Sequence, residues 1–175
     1  MKKLSLISVF LMLGCTSSNV VFAQDPDDIF TIYLVRHSEK EDSLNRRSDP
    51  PLSDCGQQRS EHLSHFLSAV NLDVVYSTNF IRTINTAQPT ADSKGLGVVQ
   101  YNPAALFDFS KHLIEKKQNA LVVGHSNTTG VLAGLLVGDD IGAFDLDIYD
   151  RIYQVVIHNN KAKLLLYHSE FDCKP

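Results

Sequence analysis

Apolar residues recur along the chain in short blocks that predict strands, and longer segments with helical spacing separate them. Ile29 to Val35 is rich in β-branched and aromatic residues, which is typical of a buried strand. Shorter apolar runs at 73–76, 98–101 and 120–123 predict three further strands. The four runs are mostly unbroken by polar residues, as expected of parallel strands covered on both faces.

Helical spacing fills the segments between those strands. Ser53 is a favourable N-cap residue, and apolar residues behind it recur at intervals of three and four. These apolar residues are Leu63, Phe66, Leu67 and Val70. Similar segments predict helices over 80–91, 104–116 and 128–137.

The end of the chain has a different pattern. Two strands are predicted over 151–158 and 163–168, and Asn159-Asn160 between them is a hairpin turn signal. The whole order predicts an α/β fold with three layers: a mostly parallel sheet, helices on both of its faces, and an antiparallel C-terminal hairpin at the edge. We expect residues 29–170 to form this single domain.

The amino terminus has the features of a secretory signal. Two lysines precede an apolar run of ten residues at 4–13, which is too short to span a bilayer. Two endings compete: a signal peptide over residues 1–23, cleaved after Ala23, and a lipoprotein signal that ends before Cys15. Both predict an exported protein, periplasmic or secreted, and the second adds a lipid anchor at Cys15.

Composition narrows the classes of function. The 175 residues suit one domain, and the formal net charge is -4. Without residues 1–23, which hold two lysines and no acid, 14 basic residues face 20 acidic ones, a net charge of -6. This mildly acidic body argues against a nucleic-acid partner. The sequence also lacks the long apolar stretch that a membrane span requires.

The cysteines and histidines do not form a metal-binding motif. Neither CxxC nor HExxH spacing occurs, so we predict no metal site. Cys55 and Cys173 remain in the exported chain, where an oxidising compartment would allow them to pair. Their distance in sequence leaves pairing open, because a disulfide requires Cα atoms within about 7 Å.

Three groups of polar residues directly follow predicted strands. Arg36 and His37 follow the first strand, Ser77 and Thr78 the second with Arg82 one turn later, and His125 to Asn127 the fourth. The carboxyl ends of parallel strands meet at one edge of a sheet, where ligands bind. Arginines and helix N-termini bind phosphate groups, and an unprotonated histidine can attack phosphorus. A second, protonated histidine opposite it would stabilise the charge on the transferring group.

Four segments, in this order, resemble the histidine phosphatase superfamily, also called the phosphoglycerate mutase-like family. Residues 34–40 (LVRHSEK) resemble its Arg-His-Gly signature, with Ser38 in the place of Gly. Residues 51–56 (PLSDCG) resemble the family's helix-start motif. Residues 76–87 (YSTNFIRTINTA) resemble the family segment in which a Ser is followed by an Arg and then by Thr-Ala. Residues 122–128 (VVGHSNT) resemble its second histidine motif. The resemblance is to the short bacterial members.

The resemblance implies a phosphatase in which His37 becomes a phosphohistidine. Arg36, Arg82 and His125 would complete the phosphate pocket, and we add Asn127 as a binding residue beside His125. A small phosphorylated molecule is the implied substrate, and neither a metal nor an organic cofactor is implied. The general acid stays open between Asp108, Glu39 and none, since a substrate with a good leaving group needs no strong acid. The alternative function is a non-catalytic protein that binds phosphate ligands on the same fold.

Overall fold

The computed structural model describes residues 29–42 and 48–173, and the signal endings at Ala23 and Cys15 lie outside them. The chain alternates strands and helices before it ends in a hairpin. The strands are β1 (Ile29–Arg36), β2 (Val74–Ser77), β3 (Val98–Gln100), β4 (Ala120–Gly124), β5 (Arg151–His158) and β6 (Lys161–His168). The helices are α1 (Asp54–Phe66), α2 (Ile81–Lys94), α3 (Leu106–Lys116) and α4 (Thr129–Val137).

The strands form one sheet in the order β3-β2-β4-β1-β5-β6. The first four are parallel, β5 pairs with β1 antiparallel, and β6 forms the edge. This confirms the predicted α/β class, the mostly parallel sheet and its antiparallel C-terminal hairpin. Arg36 lies opposite Gly124, and Ser77 lies opposite Val123, so the carboxyl ends of three central strands are aligned.

The sheet separates two apolar layers, as the prediction of helices on both faces requires. One layer includes Phe109 and Leu113 of α3 and Leu132 of α4. The other includes Leu63 of α1 and Ala87 of α2. None of the helices within 29–42 and 48–173 has the length and apolar character that crossing a membrane requires.

Local features explain two of the connections. Asn159 and Asn160 have φ values of 49° and 60°, the left-handed conformation that a tight hairpin needs and that Asn adopts readily. Ser53 caps α1, because its hydroxyl accepts a hydrogen bond from the backbone N–H of Gly56 at 3.1 Å.

The segment after His37 folds back against the start of α1. The backbone N–H of Ser53 donates to the carbonyl of Glu39 at 3.0 Å, and Gly56 lies so close that a Cβ there would collide with the same carbonyl. Cys55 and Cys173 form a disulfide with their Cα atoms 5.5 Å apart. This disulfide ties the first turn of α1 to the end of the chain.

Candidate active site

An open cleft of about 1100 Å³ lies beyond the carboxyl ends of β1, β2 and β4. All five residues that the sequence predicts for the site line this cleft: Arg36, His37, Arg82, His125 and Asn127. The structure therefore brings together side chains that are up to about 90 residues apart in sequence.

His37 is held as a neutral imidazole at the end of β1. Its backbone N–H donates to the carbonyl of Gly124 at 2.9 Å, and its side chain is almost fully buried. Burial lowers the pKa of His37 to about 3, and the charges of Arg36 and Arg82 add to the effect. Ring atom Nδ1 lies 2.7 Å from the carbonyl oxygen of Ser38, which can only accept, so Nδ1 carries the proton. The lone pair of Nε2 is therefore free to attack an electrophile.

His125 faces His37 across the cleft. The two ring centroids are 5.5 Å apart in an edge-to-face arrangement, and the Oγ1 of Thr78 lies 3.0 Å from Nε2 of His125. Burial, followed by the charge of Arg82, lowers the pKa of His125 to about 4. In the ligand-free protein this lowered pKa favours the neutral form of His125 near neutral pH. A bound phosphate dianion would favour protonation, because it brings opposite charge beside the ring.

Arg82 lies in the first turn of α2 and is paired with an acid that sequence reasoning missed. Its Nη1 donates to Oδ1 of Asp49 at 3.1 Å, and its guanidinium lies 4.5 Å from the centre of the Phe80 ring. Asp49 also accepts the backbone N–H of Ile81 at 2.9 and 3.1 Å, and so caps α2 from a distant loop. These contacts fix the guanidinium at the cleft, and within residues 29–42 and 48–173 they leave its other nitrogens available for an anion.

Arg36 is anchored by the loop that precedes β5. Its Nη1 donates to the carbonyls of Leu146 and Ile148 at 2.7 and 2.9 Å, and its Nη2 donates to the hydroxyl of Tyr149 at 3.3 Å. The guanidinium also stacks 3.9 Å from the centre of the Tyr149 ring. Several of the N–H donors of Arg36 therefore bind this loop. The sequence did not indicate this structural role of Arg36.

Neither acid that the sequence offers as proton donor lines the cleft. Asp108 is exposed on the first turn of α3, and Glu39 binds the guanidinium of Arg59 at 2.7 Å. The carboxylates that do line the cleft are those of Glu41 and Asp42, both exposed. Sequence reasoning missed them because they belong to a charged loop without periodic pattern.

One group of potential metal ligands occurs in the described part of the chain, formed by Glu39, Cys55 and Cys173. The two cysteines are joined in the disulfide, and Glu39 is held by Arg59. Each of the three donors is therefore already engaged within the protein.

Comparison with known families identifies the segment that carries the proposed nucleophile. The family model of the histidine phosphatase superfamily (branch 1) matches residues 32–104. Residues 32–104 belong to the histidine phosphatase superfamily. This confirms the family predicted from the sequence, and the family suggests phosphatase activity on phosphorylated substrates. Arg36, His37 and Arg82 lie within the matched segment, whereas His125 lies beyond it.

A curated protein is similar to part of the chain in sequence, and solved structures are similar to it in fold. Phosphoserine phosphatase 1 of Hydrogenobacter thermophilus is 38% identical over 73 residues, which is 39% of this chain and 35% of that protein. The chain thus matches about a third of the length of that curated relative. The alpha-ribazole phosphatase of Shigella flexneri has the same fold, with a TM-score of 0.67 and 17% identity over 80% of this chain and 96% of that one. The protein histidine phosphatase SixA, in complex with tungstate, has a TM-score of 0.65 and 17% identity over 79% of this chain and 97% of that one.

Proposed function

We propose that this protein is a phosphatase that forms a phosphohistidine on His37. The observation that carries the proposal is the state of that side chain: a buried neutral imidazole whose Nδ1–H is engaged by Ser38 and whose Nε2 is left unprotonated. Arg82 and His125 line the same cleft, where they would bind the three other oxygens of a phosphoryl group.

The reaction would proceed in two displacements at phosphorus. In the first, the lone pair of Nε2 forms an N–P bond while the P–O bond to the leaving group breaks. In the second, water attacks phosphorus, the N–P bond breaks, and inorganic phosphate leaves with His37 neutral again. Arg82 and Asn127 would hold the equatorial oxygens in both steps, and His125 would become protonated as negative charge gathers beside it.

The acids of the site favour a substrate with a good leaving group. Asp108 and Glu39 lie outside the cleft lining, and the acids that line it are exposed on a loop. The leaving groups of aryl and acyl phosphates depart without protonation by a strong acid, so we expect these two classes to react faster than alkyl phosphates.

The test is hydrolysis of p-nitrophenyl phosphate at pH 5 to 7 with EDTA present. Wild-type protein should turn over, and His37→Ala should lose at least about a thousandfold in kcat because it lacks the nucleophile. The matched control is His65→Ala on the exposed side of α1, which should keep wild-type activity. Turnover that persists in His37→Ala, or that requires a metal, would contradict the proposal.

A binding protein is the second candidate, and one observation favours it. Among the residues that the structure describes, the cleft lining lacks a buried acid that could protonate a leaving group. Such a protein would bind inorganic phosphate in a calorimetric titration but would not hydrolyse aryl, acyl or alkyl phosphates. Turnover of any of them that depends on His37 decides for the phosphatase.

We further propose that residues 1–23 direct export and that the domain begins near Ile29. The disulfide between Cys55 and Cys173 supports this, because such bonds form and persist in oxidising compartments. The mass of the mature protein purified from cells tests the proposal. Cleavage after Ala23 and a lipid on Cys15 give different masses, and an unprocessed chain would refute export by this signal.

A further inference from the structure

A narrow cavity lies on another side of Arg36, between β1, α1 and β5. It leaves about 20 Å³ for the centre of a water-sized sphere. Three arginines line it, and we call it the arginine cavity: Arg36, Arg59 and Arg151, with the serine and threonine residues Ser38, Thr86 and Ser169. Arg36 is the one residue common to its lining and that of the cleft.

Each of these arginines has a buried nitrogen without a hydrogen-bond partner in the described structure. These atoms are Nε of Arg36, Nη1 of Arg59 and Nε of Arg151. Arg36 is only 5% exposed, and its Nε is itself buried. Buried donors in native proteins nearly always have an acceptor. Three donors without acceptors on residues around one cavity therefore indicate a ligand that accepts from them.

The charges around the arginine cavity are not balanced. Glu39 neutralises Arg59, whose Nη2 it contacts at 2.7 Å. Arg36 donates to neutral carbonyls and to Tyr149, and Arg151 donates to the hydroxyl of Tyr153 at 3.4 Å. In the described part of the chain, neither Arg36 nor Arg151 forms an ion pair, and no carboxylate lines the cavity. Partly buried positive charge of this kind is costly unless an anion accompanies it.

We propose that the arginine cavity binds a single monovalent anion of halide size. The space of about 20 Å³ suits one particle of about the size of water, which needs about 10–15 Å³, and excludes the larger phosphate and sulfate ions. Water would fill the space but would bring no charge, and its oxygen has lone pairs for only two donors. A halide accepts from several N–H and O–H groups at once and offsets one of the unmatched guanidinium charges. This inference does not depend on the proposed phosphatase activity.

Thermal unfolding of the full chain tests the proposal. The protein would be melted at constant ionic strength while sodium chloride or bromide replaces sodium gluconate, whose anion is too large for the cavity. At ten times the dissociation constant, the halide should raise Tm by about 3–6 °C, and the rise should saturate. Equal Tm values in chloride, bromide and gluconate would overturn the proposal.

Two variants separate this site from a general effect of salt. Arg151→Gln removes one charge from the cavity and should abolish most of the saturable rise. Lys161→Gln removes one charge from the exposed start of β6 and should keep the full rise. An unchanged rise in Arg151→Gln would count against the site.

A crystal soaked in bromide gives a direct measurement on the wild-type protein, which does not depend on how the variants fold. We expect an anomalous peak between the guanidinium groups of Arg36, Arg59 and Arg151. A water molecule at that position without an anomalous peak would refute the anion site.

Discussion

The buried neutral state of His37 has a consequence for stability that can be measured without a substrate. The folded protein holds this side chain with a pKa of about 3, whereas the imidazole of the unfolded chain has its ordinary pKa of about 6.5. Between these values the unfolded state binds a proton that the folded state does not. The contribution of His37 to stability is therefore fully present above about pH 6.5 and is lost as pH falls towards 3.

The size of the effect follows from the distance between pH 5 and the ordinary pKa. That distance is about 1.5 pH units, so His37 should lower the free energy of unfolding by about 2 kcal/mol between pH 7 and pH 5. The figure is the same for any folded pKa of about 4 or below, because the folded imidazole is then still neutral at pH 5. His125, with a pKa of about 4, should contribute a similar loss.

The assay is urea unfolding followed by circular dichroism at pH 7 and pH 5. His37→Asn should lose about 2 kcal/mol less than wild type over this interval, because its side chain cannot be protonated. The control His65→Asn changes an exposed histidine of α1 and should show the wild-type loss. If His37→Asn loses as much stability as wild type between pH 7 and pH 5, burial does not hold His37 neutral. The proposal that burial leaves the lone pair of Nε2 free would then be refuted.

Substitutions at three other positions probe the contacts around the site. Gly56→Ala should lower the free energy of unfolding by about 1–3 kcal/mol in urea, since its Cβ would collide with the carbonyl of Glu39; wild-type stability would contradict this close packing. Cys173→Ser should cost about 2–4 kcal/mol, and dithiothreitol should lower Tm in wild type but not in the variant. Tyr149→Phe keeps the ring against Arg36, so calorimetry should show inorganic phosphate binding within about twofold of wild type. Tyr149→Ala removes the ring and should bind phosphate about threefold to tenfold more weakly. Equal affinities of the two variants would show that the ring does not help to hold Arg36 for phosphate binding.

The order of strands and helices could be predicted because each element has its own local signal. The apolar run at 29–35 lies between β4 and β5 in the sheet, so both of its faces had to be apolar. Asn159 and Asn160 adopt the left-handed turn that their side chains favour. Bounds were less predictable at α2, which the sequence predicted over 80–91 and which continues to Lys94, where Gly95 in the left-handed conformation ends it.

The catalytic candidates could be predicted for a different reason. Arg36, His37 and His125 directly follow strands whose carboxyl ends the parallel arrangement brings together. Their partners Asp49 and Tyr149 could not be found in this way, since both belong to loops without periodicity. The contact of Arg36 with Tyr149 spans 113 residues, and only the path of the loop before β5 determines it.

The path of that loop depends on a row of small residues on α4. Gly130 and Gly134 lie one turn apart, and a Cβ on either would collide with the backbone carbonyl of Gly142 or Asp139. Both glycines let the segment after α4 lie directly against the helix.

That close packing brings the next residues to the end of β1, where the carbonyls of Leu146 and Ile148 accept from Arg36. Since these acceptors are backbone atoms, the side chains at both positions are free to vary while the guanidinium stays in place. The position of Arg36 therefore depends on the glycines of α4 as well as on Tyr149, whose hydroxyl and ring it contacts.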